Sequence, residues 1–161
     1  MDDDLGVMLA TLLRAYHEAI TPCLRDVPHG PRGYQTLREV AEGAQPSQVA
    51  LAAHLGIDRT VMTYLIDDLA EAGLVERRAN PSDRRQRQVV PTDKGARAVA
   101  EACRRVRAVE DSVLSELTAA ERTQLRGLLA RAAGALGAGR EPLDPCEVAA
   151  GLGSSERGAT A

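Results

Sequence analysis

A chain of 161 residues with a net charge of −3 and 44% hydrophobic residues is sized for one domain, or one domain with an arm, and can fill a core. No stretch approaches the ~18 continuous apolar residues of a membrane span, and the opening Met-Asp-Asp-Asp is acidic where a secretory signal is basic. These features predict a cytoplasmic protein whose three cysteines, an odd number, are free thiols rather than a disulfide framework. With three Tyr and no Phe or Trp, the core must come from Leu, Val and Ala, the usual filling of packed helices.

Residues 4–25 predict a helix, because Leu5, Met8, Leu9, Leu12, Tyr16, Ile20 and Leu24 recur at about a 3.6-residue period. Asp2 to Asp4 suit its positive N-terminal end. "DVPHGPRG" (26–33) reads as a loop, and a short helix follows over about 34–42. Ser47 then caps a helix that Gly56 ends, and Asp58 caps a second that Gly73 ends. Two short helices joined by a Gly-containing turn suit a helix-turn-helix.

The period now changes. "LVERRA" (74–79) and "RQVVPT" (87–92) are candidate strands around the turn formers "NPSD", a hairpin that makes a wing. Thr92 or Asp93 caps a long helix to about Leu117, with Val99, Ala102, Val106, Val109, Val113 and Leu117 spaced as a helix–helix seam. Thr118 and Glu121 form a capping box for a last helix that should bury Leu125, Leu128, Leu129, Ala132 and Leu136. The remainder, 137–161, is rich in Gly, Pro and Ser and is expected to be a flexible tail. The fold class is therefore mainly α with a small β-wing.

Charge is focused rather than spread. Arg77, Arg78, Arg84, Arg85 and Arg87 crowd the hairpin, yet over 58–88 six arginines face six acids. On the 58–72 helix, Val61, Met62, Leu65, Ile66, Leu69 and Ala72 share one apolar side. Thr60, Thr63, Tyr64, Asp67 and Glu71 share the other, with Arg59 at its edge. Hydroxyls and Arg59 occupy the first two turns, acids the last two. A phosphate is attracted to the front of this helix and repelled by its back, so entry into a major groove must be N-terminus first.

"LAAHLGIDRTVMTYLIDDLAEAGLVERRANPSDRRQRQVVPTDKG" resembles the MarR family of winged-helix transcription regulators. The family pattern of Asp-x-Arg, five residues, Leu-Thr and a nearby Gly is matched by Asp83, Arg84 and Arg85, Pro91-Thr92 and Gly95. "GLVER" (73–77) and "LTAAERTQLRGLL" (117–129) also match, so the likeness runs over roughly 5–136. It implies a homodimer, with residues 1–33 and 93–136 as the dimerisation region and 34–92 as the winged lobe that binds double-stranded DNA. It also implies recognition helices in successive major grooves of a pseudo-palindromic operator, and Arg85, oriented by Asp83, in a minor groove. The candidate DNA-binding residues are Ser47, Gln48, Arg59, Thr60, Thr63, Tyr64, Arg77, Asp83, Arg84, Arg85 and Arg87. Pro91, Asp68 and Tyr64 depart from the residues common in the family at their positions.

The resemblance further implies a repressor released by a small, often phenolic or aromatic, ligand. The ligand candidates are Tyr16, His17, Tyr34, Arg38 and Arg104. An alternative is thiol sensing through Cys23, Cys103 or Cys146, although peroxide-sensing relatives carry their Cys nearer the middle of the first helix. A second alternative is a degenerate winged helix that binds protein. His17, His29, His54 and Cys23 lack compact ligand spacing, so no metal is expected. No cofactor or enzyme motif is present: there is no phosphate-cradling Gly loop, HExxH or GxSxG.

Overall fold

The computed structural model describes residues 4–43, 47–81, 87–137 and 148, with the backbone alone at 136 and 137. The elements run α1 (Leu5–Cys23), α2 (Pro31–Glu42), α3 (Gln48–Leu55), α4 (Arg59–Glu71), β1 (Val75–Ala79), β2 (Arg87–Pro91), α5 (Asp93–Val113) and α6 (Ala119–Gly137). The expected order is thus the observed one. Apart from residue 148, the tail beyond 137, with Cys146, lies outside the described residues, as does the wing tip with Asp83, Arg84 and Arg85.

Local chemistry sets most boundaries. Asp4 accepts from the Gly6 and Val7 amides, Ser47 from Ala50, and Asp58 from Thr60 and Val61. Gly56 closes α3 in the left-handed conformation (φ 65°), where a Cβ is penalised. The capping box of α6 is complete: the Thr118 amide donates to Glu121 Oε2 at 2.7 Å, and the Glu121 amide donates back to Thr118 Oγ1 at 3.3 Å.

Two boundaries moved. The second helix begins at Pro31, inside the expected loop, because proline at the first helical position loses only an amide that has no partner there. The fifth ends at Val113, not Leu117. Arg122 Nε reaches back from α6 to the Leu114 and Leu117 carbonyls (3.1 and 3.0 Å), satisfying acceptors that a longer helix would have used.

The core sits where α2, α3, α4, the hairpin and α5 converge. Met62, Leu65, Ile66 and Leu69 present the inner face of α4 at spacings of three, one and three and are wholly buried. Leu37 and Val40 of α2, Leu51 of α3, Val75 and Val89 of the strands, and Val99, Ala102 and Val106 of α5 pack into the same cluster. Val61, expected on the apolar side, is 38% exposed because it lies at that side's margin. The hairpin is antiparallel, with Val75 opposite Pro91, Arg77 opposite Val89 and Ala79 opposite Arg87. Pro91 ends its strand opposite Val75, and the next amide, that of Thr92, donates to the Leu74 carbonyl at 3.1 Å.

The junction of wing and α5 explains the Thr-x-x-Gly spacing. Thr92 Oγ1 donates to the Gly73 carbonyl at 2.6 Å and accepts from the Gly95 amide at 3.0 Å. A Cβ on Gly95 would stand 1.9 Å from the Leu74 carbonyl oxygen, so only glycine lets the helix pass the strand. Lys94 Nζ donates to the Ala72 carbonyl at 2.7 Å, covering an otherwise open end of α4.

The last helix departs most from expectation. Leu128 and Leu129 are 51% and 45% exposed, Ala132 is exposed and Leu125 only half-buried, so α6 does not bury these residues within this chain; the Leu136 side chain lies outside the described residues. Leu5, Met8, Leu9 and Leu12 of α1 are exposed as well. Among the described residues, no single helix is long and apolar enough to cross a membrane.

Candidate nucleic-acid interface

Three pieces of chain meet on one face: the start of α3, the outer side of α4 and the base of the wing. An isolated backbone pairing between Ser47 and Gln88 joins the first to the third. The Ser47 hydroxyl also caps α3, so this residue is a joint as much as a contact. Arg59, Thr60, Thr63 and Tyr64 are all exposed along the front of α4, Tyr64 to 63%. The positive end of the α4 helix lies under Arg59 and Thr60, which favours an anion there. Arg87 is exposed at the start of β2.

Arg77 is bonded within the lobe. Its Nη2 donates to Asp67 Oδ1 at 2.6 Å and to Gln48 Oε1 at 3.1 Å, so that nitrogen is engaged within the lobe. Arg78 pairs with Glu76 on its own strand. Asp68, on the rear of α4, holds His29 Nε2 at 2.7 Å. Apart from the Arg78–Glu76 pair, these bonds cross 10 to 39 residues of sequence, so no local pattern announces them.

A second site lies behind this face, between α1, α2 and α5. Tyr16, His17, Tyr34 and Arg38 line one cavity with Leu13, Ile20, Gln35 and Glu110. Four of the five ligand candidates therefore converge. The fifth, Arg104, does not: it pairs with Glu101 on the exposed side of α5, since one helical face cannot hold both it and the buried Val106 side. Burial, then the neighbouring Cys103, pushes the Tyr34 hydroxyl up to about 12, so it stays a neutral phenol. Its oxygen is 3.4 Å from Cys103 Sγ. The Arg38 guanidinium stands 6.0 Å from the Tyr34 ring centre, and its Nε is buried without a hydrogen-bond partner among the described residues.

Of the three cysteines, Cys23 and Cys103 are described, and both are half-buried. Burial pushes the Cys23 thiol up, against the pull of Arg105, which disfavours the thiolate that oxidation needs. Cys103 is half-buried against the core beside Tyr34. Among the described residues no group of three or more His, Cys, Asp or Glu side chains could hold a metal ion.

A MarR family model matches residues 31–86, from the first residue of α2 to the residue before β2. Among solved structures, the chain is similar to CouR from Rhodococcus jostii RHA1, crystallised with p-coumaroyl-CoA: 30% identity, 81% of this chain, 92% of that one, TM-score 0.69. It is likewise similar to a MarR family transcriptional regulator from Rhodococcus sp. RHA1, at 28% identity over 81% of this chain and 94% of that one, TM-score 0.70. A Mycobacterium tuberculosis MarR family protein solved in complex with DNA shares the fold at 22% identity, covering 81% and 98% of the two chains, TM-score 0.69.

Proposed function

The chain belongs to the MarR family of winged-helix transcription regulators, and from that premise we propose that it is a homodimeric repressor of a pseudo-palindromic operator, released by a small aromatic acid or its ester. The observation that carries the DNA reading is the face made by α3, α4 and the wing base, which offers Arg59, Thr60, Thr63 and Tyr64 beside a helix N-terminus. The relative solved with DNA has the same fold. Ser47, Gln48 and Arg87 flank the contact, and Arg85, set by Asp83, enters the minor groove.

Dimerisation is supported by the apolar residues that α1 and α6 leave uncovered, Leu5, Met8, Leu9, Leu12, Leu128 and Leu129. Ligand control is supported by the cavity of Tyr16, His17, Tyr34 and Arg38, where aromatic walls adjoin one guanidinium suited to a carboxylate. CouR is bound to p-coumaroyl-CoA, the thioester of a phenolic acid. The raised Cys23 thiol speaks against the thiol-switch alternative.

The test is a gel shift with the DNA upstream of the chain's own gene at ~50–100 mM salt, where phosphate contacts are strong. Binding that an aromatic acid reverses is expected; no binding would remove the regulator reading in favour of a protein-binding module. Arg85→Ala should weaken operator binding by ~1–3 kcal/mol with the dimer intact.

A further inference from the structure

The face proposed to meet DNA carries a continuous polar chain. Asp67 Oδ1 accepts from Arg77 Nη2 at 2.6 Å, and the same nitrogen donates to Gln48 Oε1 at 3.1 Å. Gln48 Nε2 then donates to Thr63 Oγ1 at 2.7 Å, and that hydroxyl donates to the Arg59 carbonyl at 2.9 Å. Strand β1, the first turn of α3 and the middle of α4 are tied by one string of side chains.

The direction of every bond is forced. Arginine only donates, so the amide oxygen of Gln48 must face Arg77 and its nitrogen must face Thr63. Both hydrogens of Arg77 Nη2 are committed, one to each partner. The Thr63 hydrogen is committed to a carbonyl one turn back, so toward a base Thr63 presents its methyl group and no proton. Gln48 keeps one N–H to offer outward, and its oxygen already lies against a guanidinium that repels further donors.

We propose that Asp67 is a positioning residue for sequence discrimination: it withholds Arg77 from the phosphates and, through Arg77, locks Gln48 as an N–H donor toward acceptor-rich base edges such as guanine N7 and O6 or thymine O4. This rests on the DNA-binding reading and deepens it. An acid on a DNA-facing helix is costly for affinity in general, because it repels phosphate. Here it neutralises the cation that would otherwise bind every sequence alike. An isolated exposed ion pair contributes little to stability, and Asp67 is 52% exposed. The consequence therefore falls on recognition, not on folding.

The experiment compares wild type, Asp67→Asn, Asp67→Glu and the Asp67→Asn/Arg77→Gln double variant. Each is titrated with the duplex that wild type selects from a randomised pool and with random duplex, from ~50 to 200 mM salt. Asp67→Asn frees Arg77, so binding to random duplex rises about tenfold and the salt slope steepens by about 0.9, one added phosphate contact. The ratio of selected over random binding falls about tenfold, and the pool selected by this variant loses its preference for G or T at one position per half-site. Asp67→Glu keeps a carboxylate within reach and retains most of the ratio. The double variant returns the salt slope to that of wild type without restoring the preference. A wild-type slope and ratio in Asp67→Asn overturn the proposal. Absence of binding by wild type itself overturns the DNA reading beneath it, a different result on the same plate. Unchanged melting of all four proteins separates positioning from folding.

Discussion

The winged lobe and the α1–α6 arm treat the same residue type in opposite ways. In the lobe, Leu51, Leu65 and Leu69 are buried to 1% exposure or less by elements of their own chain. In the arm, Leu9, Leu12, Leu128 and Leu129 remain 39–51% exposed. Both sets stand at helical spacing, so periodicity alone treats them as equals. The lobe closes because four helices and a hairpin surround one cluster. In the arm, α6 is tied to α5 by Arg122 to Asp111 and Arg126 to Glu110, while α1 reaches the core through its C-terminal end, at Ile20 and the following Leu24. Leucines on one stripe say that a face is to be covered; they do not say by which chain.

The contrast can be broken most forcefully in the lobe. Leu65→Ala should cost about 2–5 kcal/mol, lost transfer energy plus a cavity no neighbour can fill, and denaturant melting will measure it. A loss below 1 kcal/mol would mean the lobe is looser than its burial implies. The arm's counterpart is Leu129→Asp. Its helical content should be unchanged by circular dichroism while the dimer dissociation constant rises at least tenfold, about 1.4 kcal/mol, in sedimentation. A variant that stays dimeric at low micromolar concentration would place the partner surface elsewhere.

Smaller effects sharpen the boundary between the two regions, where Tyr34 sits. Its raised value means that the folded state favours the neutral phenol. That contribution is complete below the ordinary value of 10.0 and is lost as pH climbs toward about 12. A tyrosinate absorbance titration should therefore show a late step that Tyr34→Phe abolishes. Smallest is Asp58, whose carboxyl is held below its ordinary 3.8 by the Val61 amide and then the Thr60 amide. A lowered folded value contributes stability at neutral pH and loses it as acid protonates the group below about pH 4. Asp58→Asn should flatten that acid limb of the melting curve while keeping the cap.

Elements were legible wherever the signal was local. Ser47, Asp58, Thr92 and the Thr118–Glu121 box each act within three residues of chain, and all four cap as their positions suggest. Where a distant group decided, the sequence was silent. The length of α5 depends on Arg122 from the next helix, and the role of Arg77 depends on Asp67 and Gln48. Within the cavity between α1, α2 and α5, Tyr34 and Arg38 lie one turn apart and were natural companions. Arg104 looked equivalent by residue type but occupies the wrong angle on α5.

By itself, then, the sequence determined the order of helices and strands, the caps, the glycine stops and the membership in a winged-helix family. These follow from the short range of backbone hydrogen bonding and from the two periods of side-chain placement. The tertiary structure alone decided which apolar stripes are closed, why Gly95 must lack a Cβ beside Leu74, and which partners Arg77 bonds within the lobe. Those outcomes depend on close packing and on bonds between residues far apart in the chain, and such contacts leave no periodic trace along it.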